Sequence, residues 1–254
     1  MKKTYFAALV AGMFMAACSQ TPTVKQYVIN GTVEGFEDGD SIMLVTPDSV
    51  NPVLGTQVIK DGKFTFSGEF ERPIPVFCEF KDASKDTMDI MEAVILEDTI
   101  INVTVKAGKF NNVVVGGPLQ RLFNEMNKTA KEDAKLLNDL YAKVNAPETP
   151  EAEKEAVNHQ IDSIGRAICK AKVDFVVERV PSEFSNVALP PVATMLRGMY
   201  DLNGTFALSE MQRLLNAFAQ KQPDSPYYKE IKKEIDKFLK ENNLGGMELD
   251  EKEE

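Results

Sequence analysis

An Asp-Gly pair between two alternating runs most constrains the fold of this chain. The runs extend from Thr56 to Lys60 and from Lys63 to Gly68, and Asp61-Gly62 lies between them. This arrangement is among the strongest short-range signals for a β-hairpin, because both turn residues tolerate the positive φ angles of a two-residue turn. Similar alternation recurs between Tyr27 and Val115. The stretch therefore predicts a β-module.

We expect about eight strands in this module, near 27–33, 41–46, 56–60, 64–69, 74–80, 91–96, 99–105 and 110–115. No helical pattern separates them, which argues against a parallel βαβ sheet. Short connections at 35–40, 61–62 and 97–98 favour pairing of consecutive strands. The pattern predicts an antiparallel meander or a small sandwich.

The chain after Gly116-Gly117-Pro118 has the periodicity of helices. Apolar residues recur every three or four positions over 119–144 and over 157–175, which predicts two antiparallel helices. Ser182 is expected to cap a third helix that runs to Leu202, a fourth starts near Ser209, and a last one follows Pro223-Asp224-Ser225-Pro226. The fold class is therefore α+β, with an antiparallel β-sandwich-like domain at 26–117 and an α-helical region at 118–246. The acidic tail at 247–254 is expected to be disordered.

The N-terminus has the pattern of a secreted protein. Lys2 and Lys3 precede an apolar run that is too short to span a membrane and ends in Ala16-Ala17-Cys18. Small residues before a cysteine resemble the bacterial lipobox, in which the thiol receives a diacylglycerol before cleavage. This predicts a signal peptide at 1–17, lipidation of Cys18 and a flexible tether at 18–25. An ordinary signal peptide with an incidental cysteine is the alternative.

The charge of the chain excludes two classes of partner. The whole chain carries a net charge of −10, and removal of Lys2 and Lys3 with the signal peptide brings it to −12. An acidic surface repels phosphate backbones and anionic headgroups. We therefore expect no nucleic acid partner, and a membrane contact that depends on the lipid on Cys18.

The residues that could do chemistry are few. Cys78 and Cys169 fall on a predicted strand and a predicted helix, and we interpret them as two separately packed thiols, with a bridge between them as the alternative. His159 is the single histidine and lies off the apolar stripe of its helix, so no histidine triad or multi-histidine metal site can form.

Two groups of acidic residues have carboxylates that could hold calcium or perform glycosidase chemistry. They are Glu37, Asp38 and Asp40 in one turn, and Asp86, Asp89 and Glu92 at helical spacing. The ligand pattern of a calcium loop is absent, and acidic loops are common in acidic proteins. We therefore predict no catalytic residue, no metal site and no cofactor.

The turns resemble those of a known group of proteins. The segments 30–35, 39–44 and 61–68, with Val115-Gly116-Gly117, resemble an uncharacterised N-terminal domain of Bacteroidetes lipoproteins that commonly precedes a TlpA/ResA-type thioredoxin-like domain. The helical half is similar to the linker of those proteins. The resemblance implies a lipid-anchored protein of the cell envelope, and the lack of an acidic run after Cys18 favours an outer-membrane location facing the periplasm. The redox motif Trp-Cys-x-x-Cys does not occur in this sequence, so thiol-disulfide exchange by that mechanism is not expected.

The same resemblance extends to modification. Asp48-Ser49-Val50 and Asp86-Thr87-Met88 resemble the O-glycan acceptor tripeptide of Bacteroidetes periplasmic proteins. Both lie in predicted loops, where a glycan would not obstruct folding. Ser49 and Thr87 are therefore the candidate O-glycosylation sites.

These observations predict a non-catalytic envelope protein that binds a protein partner through its β-module or its helical surface. A solute- or glycan-capture lipoprotein and an enzyme with an unrecognised carboxylate site are the alternatives. A capture protein would need a deep apolar cleft with convergent polar groups, and the enzyme would need two carboxylates that converge in a pocket.

Overall fold

A computed structural model describes residues 25–46, 53–81, 88–106, 112–128, 130–200 and 203–242. The predicted signal peptide at 1–17, Cys18, the tether before Lys25 and the acidic tail at 247–254 lie outside the described residues. Ser49, Asp86 and Thr87 lie outside them too.

The described residues form eight strands followed by six helices. The strands are β1 (Lys25–Glu34), β2 (Ser41–Val45), β3 (Val53–Val58), β4 (Lys63–Phe70), β5 (Ile74–Lys81), β6 (Met88–Leu96), β7 (Ile100–Lys106) and β8 (Val113–Val115). The helices are α1 (Pro118–Lys128), α2 (Lys131–Asn145), α3 (Glu151–Val177), α4 (Glu183–Met199), α5 (Gly204–Lys221) and α6 (Pro226–Glu241). The predicted α+β class is confirmed.

The strands form two four-stranded sheets that pack face to face. One sheet, here called the β1 sheet, has the order β4-β1-β7-β8, and the other, the β2 sheet, has the order β3-β2-β5-β6. Side chains from both inner faces share one apolar core, which includes Ile29, Phe66 and Ile101 from the β1 sheet and Leu44 and Phe80 from the β2 sheet. This is the sandwich that the alternation predicts, because strands such as β1, β4 and β7 bury every second side chain.

Consecutive strands pair in three cases, β2 with β3, β5 with β6 and β7 with β8, but the pairing predicted across 35–40, 61–62 and 97–98 is wrong. β1 and β2 lie in different sheets, as do β3 and β4, and also β6 and β7. The Asp61-Gly62 turn forms as predicted, with φ of 52° and 65° and a single bridge between Lys60 and Lys63. The strands then separate, because β3 pairs with β2 while β4 pairs with β1. β1 also pairs with β7 in parallel, since the connection between them passes through the other sheet.

The helix boundaries differ from the prediction in two places. The apolar stripe over 119–144 spans two helices, α1 and α2, rather than one. The fourth predicted helix, α5, starts at Gly204 instead of near Ser209, because the Asn203 side chain accepts a hydrogen bond from the Phe206 amide (3.3 Å) and caps it. Ser182 caps α4 as predicted, and its hydroxyl accepts from the Ser185 amide (3.1 Å).

The helices form a second core on the outside of the β2 sheet. α1 and α3 to α6 contribute its buried side chains, and Ile95 joins them from the outer face of β6. Val94 and Leu96, on either side of Ile95, point into the sandwich core instead. β6 thus contributes side chains to both cores, which places the helices against one end of the sheet.

A buried carboxylate attaches α1 to the sandwich. Glu97, in the β6–β7 turn, is 6% exposed and accepts hydrogen bonds from the amides of Leu119 (3.2 Å) and Gln120 (3.0 Å). These amides are among the unpaired donors at a helix N-terminus, where a negative charge is favourable. A Cβ on Gly117 would lie 2.4 Å from a Glu97 carboxylate oxygen. Glycine is therefore required there for the carboxylate to reach the helix.

Replacement of Glu97 by alanine should lower the free energy of unfolding by about 2 kcal/mol or more, because two buried amides lose their acceptor. Gly117→Ala should also destabilise the protein, since the added methyl group occupies the position of the carboxylate. Urea unfolding measures both effects. Asp98→Ala, a change at the exposed neighbour of Glu97, is the control and should stay within about 0.5 kcal/mol of the parent chain. Equal stability of E97A and D98A would contradict the capping role.

Candidate binding surface

The four edges of the sandwich differ in how they are protected. Exposed strand edges pair readily with other chains, so natural proteins shorten, charge or cover them. β8 has three residues, and β4 carries exposed charges at Lys63 and Glu69. β6 is covered by α1, where the Ile95 amide donates to the Gln120 side chain (2.7 Å). Asn124 of α1 likewise donates to the Val114 carbonyl on β8 (2.7 Å).

Among the residues that the structure describes, β3 has none of these protections. Its six residues, Val-Leu-Gly-Thr-Gln-Val, include no charge and no proline, and within the described residues it pairs with no strand except β2. Its three large apolar side chains are exposed by 52% at Val53, 46% at Leu54 and 58% at Val58. We call the segment Val53–Val58 the β3 edge. It is an uncharged strand with exposed apolar side chains, and no described strand pairs with its second side.

A row of apolar side chains leads from the β3 edge across the outer face of the β2 sheet. Val53 lies opposite Val45, Val45 opposite Phe77, and Phe77 opposite Ala93. Ala93 packs against the helical core, whereas Val45 belongs to neither of the two large cores of the described residues. The β3 edge is thus continuous with a row of apolar side chains on the outer face of the β2 sheet, in which Val45 is buried (7% exposed) and which ends at the helices.

The acidic turn at 37–40 lies at the C-terminal end of the β3 edge. The Ile59 amide donates to the Asp40 carbonyl (2.8 Å), and the Gly39 amide donates to the Ile59 carbonyl (3.2 Å). The side chains are occupied locally: Asp40 accepts from the Glu37 amide (2.8 Å), and Asp38 accepts from the Asp61 amide (2.8 Å). The residues described here include no group of three or more side chains placed to hold a metal ion. The turn carboxylates therefore shape the backbone and leave negative charge beside β3.

A second apolar patch lies on the outer face of the β1 sheet. Ile100, Val113 and Val115 are exposed by 59%, 51% and 57%. Their cross-strand neighbours include Asn102 opposite Val115 and Thr104 opposite Val113. This face mixes β-branched apolar residues with neutral polar ones, and it adds to the exposed apolar surface of the sandwich.

A groove of about 500 Å³ separates the β4–β5 turn from the helices, with Lys25, Arg72, Pro181 and Tyr227 among its lining residues. Arg72 lies over the Tyr227 ring, 4.5 Å from its centroid, and forms an ion pair with Glu230 (2.6 Å). The Tyr227 hydroxyl donates to the Pro73 carbonyl (2.5 Å), and burial raises its pKa to about 12.

Asn186 and Gln222 also line the groove and are hydrogen-bonded to each other and to nearby serines, while Lys25, Glu71 and Glu183 are also part of its polar lining. Asn186 donates to Gln222 (3.4 Å) and accepts from Ser225 (2.5 Å), while Gln222 donates to Ser185 (3.3 Å). Polar groups that already satisfy each other are not available to a ligand without breaking these bonds. The groove is therefore better explained as the joint between the sandwich and the helices than as a ligand pocket.

The two thiols are free and buried in different cores. Cys78 belongs to the sandwich core and Cys169 to the helical core. Burial raises the pKa of the Cys78 thiol to about 12 and that of Cys169 to about 11. The prediction of two separately packed thiols is thus confirmed, and the alternative, a disulfide bridge between them, is wrong. Protonated, enclosed thiols are poor nucleophiles.

The other titratable residues singled out from the sequence do not converge. His159 is exposed on α3. Glu92 lies opposite Cys78 on the neighbouring strand and accepts a hydrogen bond from Asn112, and burial raises its pKa. The side chain of Asp89 lies outside the described residues, so the group with Asp86 is not described.

Sequence reasoning missed the start of the β3 edge. The strand was predicted from Thr56, whereas it begins at Val53 and includes Leu54. Gly55 interrupts the alternation of apolar and polar side chains. The pairing register between β2 and β3 shifts at the same place, opposite Leu44 and Val45, which accounts for the interruption. The sequence feature that could have indicated this edge is the absence of charged residues over 53–58, in a chain in which 27% of the residues are charged.

Comparison with known proteins bears on the sandwich. Residues 27–123 match a domain of unknown function, DUF4369. The DUF4369 match begins within β1 and ends at Phe123 inside α1, so it includes both the Glu97 carboxylate and the helix turn that this group caps. No curated protein matches the chain. In the part of the chain that the structure describes, none of the helices is both long enough and apolar enough to span a bilayer.

Because both thiols are enclosed and carry raised pKa values, neither should react with a thiol reagent in the folded protein. In a Cys18→Ala chain at pH 7.5, we expect no modification by 5,5′-dithiobis(2-nitrobenzoate) while the protein is native, and modification of both thiols in guanidinium. Absorbance at saturation counts them. Rapid reaction of one thiol in the native protein would contradict its burial.

Proposed function

We propose that this chain is a non-catalytic, lipid-anchored protein of the bacterial cell envelope that holds a protein partner on its β-sandwich. The observation that carries the proposal is the distribution of exposed apolar side chains. The described residues include eight large apolar side chains that are exposed. Six of them lie on the sandwich, and the two others, Leu136 and Tyr141, lie on α2. Exposed apolar surface of this kind is characteristic of interaction sites.

The tether supports a location close to the membrane. β1 begins at Lys25, directly after the predicted tether at 18–25. A flexible linker of this length has an end-to-end distance of roughly 15 Å. A sandwich tethered this closely to a lipid on Cys18 would meet its partner near the bilayer. We place it at the outer membrane on the periplasmic side, on the resemblance to Bacteroidetes lipoproteins.

The non-catalytic part of the proposal is supported by the state of the reactive groups. Both described thiols are enclosed, and His159 is exposed on α3. In the groove between the sandwich and the helices, Asn186 and Gln222 are already hydrogen-bonded to each other and to neighbouring serines, and Arg72 is paired with Glu230. We therefore place protein binding above both solute capture and an unrecognised carboxylate enzyme. The candidate O-glycans on Ser49 and Thr87 would lie on connections between strands of the β2 sheet.

Affinity capture after mild crosslinking tests partner binding. Tagged, full-length protein purified from its native envelope should retain a stoichiometric protein that mass spectrometry identifies. We expect at least a fivefold loss of this protein with Val58→Lys or Ile100→Lys, which place a charge on the sandwich surface. Leu136→Lys, an equally exposed apolar position on α2, is the matched control and should capture normally. Loss with Leu136→Lys alone would move the partner to the helices, and no captured protein in any sample would refute the proposal.

Lipid attachment has a separate test. Metabolic labelling with palmitate should mark the native protein and fail on a Cys18→Ala variant, because the thioether needs the thiol. The variant should also leave the membrane fraction. Cys169→Ala serves as a control for loss of a thiol elsewhere and should still be labelled. Labelling that survives Cys18→Ala would remove the anchor.

A further inference from the structure

We infer that the β3 edge is a strand-addition site, at which an extended segment of the partner protein, with a basic residue at one end, becomes the fifth strand of the β2 sheet. This inference rests on the proposed function, since it names where and how the sandwich holds its partner. It commits to one occupant, a peptide segment of another protein with positive charge.

The backbone of β3 provides the first argument. The strand is six residues long, about 20 Å at the usual rise per residue, and β2 is its one strand neighbour within the described residues. Successive amides of a strand point to opposite edges, so about half of its backbone groups face away from β2. An added strand would satisfy those groups, and main-chain hydrogen bonds of this kind provide most of the affinity in strand addition.

The side chains provide the second argument. Val53, Leu54 and Val58 are each about half exposed, and Val53 continues into the apolar row through Val45 and Phe77. An incoming strand with alternating apolar residues could bury Val53 and Val58, which lie opposite Val45 and Ser41, on the outer face of the β2 sheet. The three other edges of the sandwich are short, charged or covered by α1, which leaves β3 as the apolar edge open to addition.

Charge decides between a foreign segment and a second copy of this chain. The C-terminal end of the β3 edge meets Glu37, Asp38, Asp40 and Asp61, with Lys60 and Lys63 nearby. Four carboxylates and two ammonium groups leave a net charge of −2 at this end. A second copy would bring the same excess, an uncharged β3 and a net charge of −10 overall. A segment with a lysine or arginine at the matching end would be attracted instead.

The first test uses defined peptides with the full chain. Two fluorescein-labelled heptapeptides of alternating valine and threonine carry a lysine at the N-terminus or at the C-terminus, so that either strand direction can be detected. Two control peptides carry glutamate instead of lysine. Fluorescence anisotropy at 20 mM salt should show one lysine peptide binding at least tenfold more tightly than its glutamate counterpart. This ratio should shrink at 0.5 M salt, since salt screens exposed charges. Equal affinity, or no binding at 1 mM protein, would overturn the inference.

Variants of the chain test the contribution of charge separately from that of the backbone hydrogen bonds. Asp61→Asn removes one charge, and asparagine tolerates the positive φ of 52° found at this position. It should weaken binding of the lysine peptide about threefold, whereas the same change at Asp98, on the β6–β7 turn, should leave binding unchanged. Unaltered binding by D61N would refute the charge argument without any dependence on how well a strand variant folds.

Proline substitution tests the strand itself. Thr56→Pro and Gln57→Pro remove amides that point to opposite edges of β3. One of the two should bind the peptide at least tenfold more weakly while its thermal midpoint stays near that of the parent chain, and the other should lower the midpoint because it breaks a bond to β2. Peptide binding that survives in both folded variants would exclude strand addition.

Two further results distinguish this inference from the proposed function. Capture of the envelope partner that survives the proline variants would leave the proposed function intact and refute strand addition. Light scattering after size exclusion should show a monomer at 50 μM. A dimer that Val58→Lys dissociates would assign the β3 edge to a second copy and overturn the inference.

Discussion

The contact between the Glu97 carboxylate and the first turn of α1 connects the two halves of this structure. A buried carboxylate is costly unless hydrogen bonds satisfy it, and here the donors are helix amides that would otherwise be unpaired. Each group thus compensates for the other. Gly117 allows the approach, and Gln120 extends the same helix along the edge of β6. The position of α1 follows, and with it the face of the β2 sheet that the remaining helices cover.

This attachment also determines which edges of the sandwich are protected. The helices cover β6 at one side of the β2 sheet, while β3 is the strand at the other side. An incoming strand at β3 would therefore leave the helical core and its contact through Ile95 undisturbed. The groove at Arg72 and Tyr227 has a different role, because its aromatic, ionic and hydrogen-bonded contacts join β-turn to helix. We therefore propose that the sandwich carries the binding surface and that the helices support it.

The sequence predicted which elements form better than how they pair. Alternation and periodicity depend on which side chains are buried, so eight strands and most helices were found near their true positions. The pairing of β3 with β4 was wrong because the Asp61-Gly62 turn determines only the local reversal, whereas the inner faces of the two sheets determine which strands meet. The break between α1 and α2 was missed because the apolar stripe continues through both. The start of α5 was placed near Ser209, five residues too late, because the cap at Asn203 was not recognised.

The candidate surface was harder to predict for a physical reason. Binding through backbone groups requires no particular side chain, so a search for catalytic or ligating residue types cannot find it. The β3 edge differs from the other edges because, in the described residues, it is neither short, charged nor covered. This difference can be recognised only once the sheet order shows that Val53–Val58 is an edge strand. An uncharged strand in the interior of a sheet would not indicate a binding site. In an acidic chain, the excess carboxylates at the end of that strand then favour a positively charged segment over a second copy of the chain.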